Sequence, residues 1–295
     1  MARMPLKPMK IYSALSETRD LSDTPARVLV TGSDLDAVQS VYEALIPGAA
    51  AGQASCLVDA ASGTDVPPLS QITENDVIIL VSAPADIDSD SFRSRLSEAE
   101  AVDAPVVVVL TEAPGVQVSF PGVGPRRVVG MAPGGIPPAD VLAEAVADAA
   151  GDSGVALAAK LPALRDEVCR QLIHRTARQN AVVGCLFIIP GADMPVMTLN
   201  EARMILRMAA AHGETVGSER ALELLGIVGT GFGLRAVARQ ALDFFPGPGW
   251  VIKGGIAWSG TRALGEAAKA YFDGSVRVTP SRLAPLVDKL KKLRG

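Results

Sequence analysis

Along residues 27–150, short apolar runs alternate with stretches whose apolar residues recur every three or four positions. The runs are Arg27-Val-Leu-Val-Thr31, Cys56-Leu-Val-Asp59, Asp76-Val-Ile-Ile-Leu-Val-Ser82, Pro105-Val-Val-Val-Val-Leu-Thr111 and residues 127–131. Continuous β-branched runs suit strands covered on both faces, as in a parallel sheet. Between them, the box Ser33-Asp-Leu-Asp36 followed by Val38, Val41 and Leu45 predicts a helix. Residues 92–101 predict a second helix, and Pro137-Pro138-Ala-Asp140 opens a third with proline in its first turn. This alternation predicts an α/β domain over residues 27–150, built on a doubly wound, mostly parallel sheet.

From residue 160 onward the period is helical. Leu161, Leu164, Val168 and Leu172 share one face of a helix expected over residues 160–180. Thr198-Leu-Asn-Glu201 reads as a capping box for a helix ending near Gly213, with Arg203 and Arg207 one turn apart on one face. Residues 218–243 predict one or two helices around Gly229-Thr-Gly231-Phe-Gly233, with Arg235 and Arg239 another i,i+4 pair. Pro246-Gly-Pro-Gly249 breaks the chain, and residues 250–272 resume as a helix with small residues at Gly254, Ala257, Gly260 and Ala263. Thr279-Pro280 caps a last helix, leucines on one side and Lys289, Lys291 and Lys292 on the other. The expected organisation is a flexible leader (1–26), the α/β domain (27–150), a helical domain (160–274) and a basic amphipathic C-terminal helix (279–295).

Charge sharpens this division. Residues 1–150 carry a formal charge of −11 and residues 151–295 carry +7, within a net charge of −4. Opposite halves suggest separate partners, the basic half facing an anionic surface, or simple mutual attraction of the halves. Aromatic residues make up 4% of the chain, too few for a stacking platform, so no nucleic-acid partner is expected. Three cysteines without a CxxC, and two distant histidines, give no disulfide framework and no metal set. The start holds Arg3, Lys7 and Lys10 without an apolar run before a cleavage site, so no signal peptide is read there.

Mean hydropathy is +0.28, high for a chain outside the membrane. Yet the two longest stretches without a charged residue are residues 44–58 and 179–192, both shorter than the ~20 apolar residues that span a bilayer. The expected location is the cytoplasmic side, peripheral or inner-membrane-associated, with a soluble cytoplasmic protein as the alternative. Trp250, Trp258, Lys289, Lys291 and Lys292 are the candidate membrane or partner contacts.

In strand order and spacing, residues 27–150 resemble a small GTPase domain whose nucleotide motifs are missing. A P-loop needs GxxxxGK[ST], whose amides and lysine hold the phosphates. Here the first strand runs into Gly32-Ser33-Asp34-Leu35-Asp36, with no lysine and two carboxylates that repel a triphosphate. Asp59-Ala-Ala-Ser62 stands where Asp-x-x-Gly belongs, and Thr111-Glu-Ala-Pro114 where Asn-Lys-x-Asp belongs. The reading is a P-loop GTPase-like fold with the P-loop lost and no cofactor; a doubly wound domain of other kind is the alternative.

The second half carries a further likeness. Ile189-Pro-Gly-Ala-Asp193-Met-Pro195, Arg203-Met-Ile-Leu-Arg207-Met-Ala-Ala, His212-Gly213-Glu214, Gly233-Leu-Arg235-Ala-Val-Ala-Arg239-Gln240 and Pro246-Gly-Pro-Gly-Trp250 resemble the YcjF-like domain of unknown function 697. The likeness spans residues 161–272. It implies a bacterial, membrane-associated protein and supplies no catalytic residues. Related domains follow a GTPase domain in one chain, which suits residues 27–150.

Asp193 lies in apolar surroundings and needs a partner to stay charged. Arg203, Arg207, Arg235 and Arg239 are the candidates. The expected function is a non-enzymatic, membrane-associated scaffold or regulatory pseudo-GTPase with a protein partner. A soluble helical interaction module that forms an oligomer or complex is the alternative, and a GTPase-related enzyme with Asp193 and its arginines in a cleft is the third.

Overall fold

The computed structural model of the chain describes residues 8–50, 57–59, 72–115, 118–186, 194–214 and 249–274. It divides into two compact units. One, of residues 19–170 with 210–214, is an α/β unit; the other takes residues 1–18, 171–209 and 215–295, and its described elements are helices, so it is called the helical unit.

The α/β unit holds five parallel strands, β1 (Val28–Gly32), β2 (Leu57–Asp59), β3 (Val77–Ser82), β4 (Val106–Leu110) and β5 (Val128–Gly130), in the order β2-β1-β3-β4-β5. That is one of the two common orders of doubly wound sheets. Side chains alternate across the strands. Leu29, Ile78, Leu80, Val106, Val108 and Leu110 join Phe92 and Ala99 of helix α3 (Asp90–Ala101) in one buried cluster. Val30, Ile79, Val107 and Val129 point the other way, where helices α2 (Leu35–Leu45) and α4 (Ala139–Ala150) cover the sheet. The apolar runs are continuous because both faces are covered. Each fully buried Val, Leu or Ile contributes about 1.5–3 kcal/mol.

Two local features set the sheet's ends. Ahead of β1 and β3, Asp76 accepts from the Arg27 amide at 2.9 Å, from Arg27 Nη2 at 2.9 Å and from the Thr73 amide at 2.9 Å. At the other end, β1 finishes on Gly32, where a Cβ would strike the Val81 carbonyl oxygen and lie 3.1 Å from Val38. Glycine there permits the close approach of β1, β3 and α2.

Several expectations about boundaries are corrected. Residues 8–23 of the supposed flexible leader form helix α1 (Pro8–Asp23), with Ala14, Leu15 and Thr18 buried on one face. The α2 cap is Asp34 and not Ser33, since Asp34 adopts the extended backbone and its carboxylate reaches the helix amides. The helix expected over residues 160–180 starts later and runs further, as α6 (Arg165–Leu186); α5 (Gly154–Lys160) and a 3-10 turn at Pro162–Leu164 precede it. Proline explains the later start: Leu161, just before Pro162, is forced to φ −115°, ψ 92°. Helix α7 (Met194–Ala211) begins a turn earlier than the Thr198–Glu201 box and ends before Gly213, whose φ is +77°. Helix α8 (Gly249–Phe272) lies within a residue of its expected start. The segments 218–243 and 279–295 lie outside the described residues.

In the helical unit, α6 and α8 run antiparallel at close range. A Cβ on Gly254 would strike Cys185 Sγ and stand 3.2 Å from the Ala181 carbonyl oxygen; one on Gly265 would stand 2.6 Å from Ile173 Cγ1. Among the described residues, no helix is long and apolar enough to cross a membrane.

Candidate functional site

In an open parallel sheet, ligands bind outside the carboxyl ends of the strands where the strand order reverses. Here that point lies between β1 and β3. Thr31, Ser82 and Thr111, at the ends of β1, β3 and β4, are all buried there. Arg95 on α3 donates from Nη1 to Thr31 Oγ1 at 2.7 Å, and Ser82 Oγ donates to the Ala83 carbonyl at 3.1 Å. Asp34 Oδ1 accepts from the amides of Asp36 and Ala37, both at 3.1 Å. A helix N-terminus after the first strand is where a phosphate would be held. The chain places its own carboxylate on those amides and engages a nearby guanidinium with a hydroxyl.

The helical unit has a buried polar centre. Asn180 on α6, Glu201 on α7 and Thr261 on α8 are each at most 1% exposed. Thr261 Oγ1 donates to Glu201 Oε1 at 2.7 Å. Asn180 Nδ2 donates to Thr261 Oγ1 at 2.9 Å, and Asn180 Oδ1 accepts from Asn200 Nδ2 at 2.9 Å. Such a network ties three helices together because an unmade bond at any member is costly. Sequence reading took Glu201 for a cap; starting α7 at Met194 turns it inward instead.

A second cluster holds the predicted arginines. Arg203 Nε lies 2.9 Å from Glu17 Oε2, and Arg207 Nη2 donates to Glu17 Oε1 at 2.6 Å. Spacing of four on α7 brings both guanidiniums to one carboxylate on α1. The Nε atoms of both arginines are buried without a hydrogen-bond acceptor, the short Arg203–Glu17 approach lacking hydrogen-bond direction. The three side chains border a cavity of about 590 Å³, together with Arg175 and Arg178 of α6.

Of the residues singled out from sequence, Arg203 and Arg207 are thus brought together, with Glu17 as their partner. Asp193, the partner first considered, lies outside the described residues, as do Arg235, Arg239, Lys289, Lys291 and Lys292. Only the helical backbone is described at Trp250. Trp258 is half-buried, with the Arg262 guanidinium 5.3 Å from its ring centroid, a cation–π contact. No group of three or more His, Cys, Asp or Glu able to hold a metal occurs among the described residues.

Sequence reasoning missed Glu17, Arg95, Asn180 and Thr261. One signal was available: extending Leu164, Val168 and Leu172 by fours along α6 lands on Thr176 and Asn180, polar residues on a buried stripe. Compared with known proteins, the chain matches no protein-family model, no curated protein and no solved structure.

Proposed function

We propose that the chain is a non-enzymatic scaffold or regulatory protein: a pseudo-GTPase-like α/β unit, with its nucleotide site given up, joined to a YcjF-like helical unit. The helical unit associates with an anionic membrane surface, or with a membrane protein, on the cytoplasmic side. The observation that carries the nucleotide-free half of this reading is the Asp34 carboxylate on the α2 amides of Asp36 and Ala37; the membrane half rests on the +7 charge of residues 151–295. A triphosphate would have to displace a covalently attached anion, with the Asp36 carboxylate beside it and no P-loop lysine to offset the charge.

Two experiments test it. A fluorescent GTP analogue with Mg²⁺ is expected to show no saturable binding to the full chain; micromolar affinity sinks the nucleotide-free half. Flotation with phosphatidylglycerol vesicles is expected to carry the protein at low salt and release it as salt screens the contact. Protein left wholly at the bottom at every salt concentration sinks the membrane half.

The buried Asn180–Glu201–Thr261 centre favours a second reading. A polar core that pins three helices in one register suits a soluble bundle serving as an interaction module, alone or as an oligomer. It predicts a monodisperse protein without detergent and no vesicle binding.

A further inference from the structure

The cavity in the helical unit combines three properties. Among the described residues its charge is unbalanced: Arg203 and Arg207 share one carboxylate, that of Glu17, and their side chains are 33% and 17% exposed. Two like charges, partly withdrawn from water, are therefore offset by one. Next, the Nε donors of both arginines are buried without an acceptor, and buried donors are rarely left so. Finally, the wall is mixed: Leu172, Val183 and Met204 supply an apolar side, and Arg178 adds a further cation. A volume of about 590 Å³ is that of a small-molecule site.

We propose that this cavity binds a phosphate group carried on a short apolar body, which takes the Arg203–Arg207 clamp in competition with Glu17. A phosphate monoester brings up to two negative charges and three acceptor oxygens to two guanidinium forks, which recognise that geometry well. Its oxygens supply acceptors to the two Nε donors, and its apolar part lies against Leu172, Val183 and Met204. Glu17 acts as the internal stand-in: its side chain is 37% exposed, and its carboxylate satisfies the clamp in part and is exchanged for the ligand. The same chemistry is offered by a lipid headgroup and by a free phosphorylated metabolite.

Calorimetric titration of the full chain decides it. The probes are dihexanoyl phosphatidic acid below its micelle concentration, glycerol 3-phosphate, and phosphatidylglycerol vesicles. The expected result is one saturable site for dihexanoyl phosphatidic acid, weakened at least ~10-fold in Arg203→Gln/Arg207→Gln, as two charge-assisted contacts are lost. Glu17→Gln is expected to bind ~3-fold or more tightly, because the competing charge is gone. If the arginine double variant no longer melts cooperatively, Val183→Glu, which puts a carboxylate into the cavity wall, serves in its place and is expected to abolish binding. Saturable but weaker binding of glycerol 3-phosphate, which lacks the apolar body, identifies a free metabolite as the source; binding confined to the lipid probes identifies a headgroup. Binding of glycerol 3-phosphate as tight as that of dihexanoyl phosphatidic acid overturns the apolar half of the proposal. No heat with any probe overturns the proposal, as does affinity unchanged by the arginine variant or weakened by Glu17→Gln. The inference stands apart from the nucleotide-free reading of the α/β unit. Binding of the short-chain probe without flotation upholds it while removing the surface association.

Discussion

Asp76 grips Arg27 twice, by its backbone amide and by its guanidinium, and so ties the entry of β1 to the entry of β3. Burial pushes the Asp76 carboxyl upward. The bonds from Arg27 and from the Thr73 amide and hydroxyl outweigh that push and hold it below the usual carboxylate range. Its folded pKa is thus depressed, so its contribution to stability is complete above the ordinary value of 3.8 and is lost as pH falls through the folded value. Urea denaturation across that acid range should show stability falling. Asp76→Asn should lose about 2–3 kcal/mol at neutral pH, less than a fully buried pair because Arg27 is 37% exposed, and should show a flatter acid limb. A variant as stable as wild type at neutral pH would count against this.

Thr261 serves the polar centre as both donor and acceptor. Thr261→Val keeps the volume but removes the bonds that Thr261 makes to Glu201 and Asn180, at about 1–3 kcal/mol in all, since Asn180 Nδ2 still lies 3.4 Å from the Met197 carbonyl and 3.5 Å from Glu201 Oε1. Thr261→Ser keeps the hydroxyl and is expected to cost less than about 1 kcal/mol, chiefly for the methyl. Chemical denaturation of the two variants side by side measures the difference.

The α6–α8 contact predicts a change of sign. Gly265→Ala gains about 1 kcal/mol in helix propensity but forces its Cβ onto Ile173, an overpacking cost of about 1–3 kcal/mol. It should therefore destabilise the protein. In an Ile173→Ala background the obstruction is gone and the same substitution should stabilise. Additive effects in this double-mutant cycle would show that the two residues do not touch.

Asp34→Ala removes the α2 cap and should cost about 0.5–2 kcal/mol, read from the thermal midpoint. Freed amides alone do not make a nucleotide site, since the P-loop lysine is still missing. The variant should remain unable to bind a fluorescent GTP analogue, and saturable binding by it would contradict that.

What was legible in the sequence follows from range. The strands were visible because a sheet covered on both faces needs unbroken apolar runs, and 77–82 and 106–110 supply them. Helix α8 was visible because Pro246-Gly-Pro-Gly249 marks its start and small residues mark a face. The pairing of Arg203 and Arg207 on one face was legible from their spacing, but their partner was not. Glu17 is 190 residues from Arg207 in a stretch read as leader, and no local pattern relates the two. Likewise Asn180 and Thr261 are 81 residues apart. Hydrophobic periodicity reports which face is covered, and it is silent on which distant polar groups meet beneath.

The assembly of the helical unit from separated pieces of chain also sets an order of events during synthesis. Glu17 is made 190 residues before the Arg207 that clamps it on α7. At about 5–20 residues per second, that is a wait of about 10–40 s. During that interval most of the α/β unit, residues 19–170, can close around its own sheet while α1, with its apolar face of Ala14 and Leu15, stays without the segments it will join. The clamp on Glu17 therefore closes only after Arg207 has been made, later than the sheet's own strands.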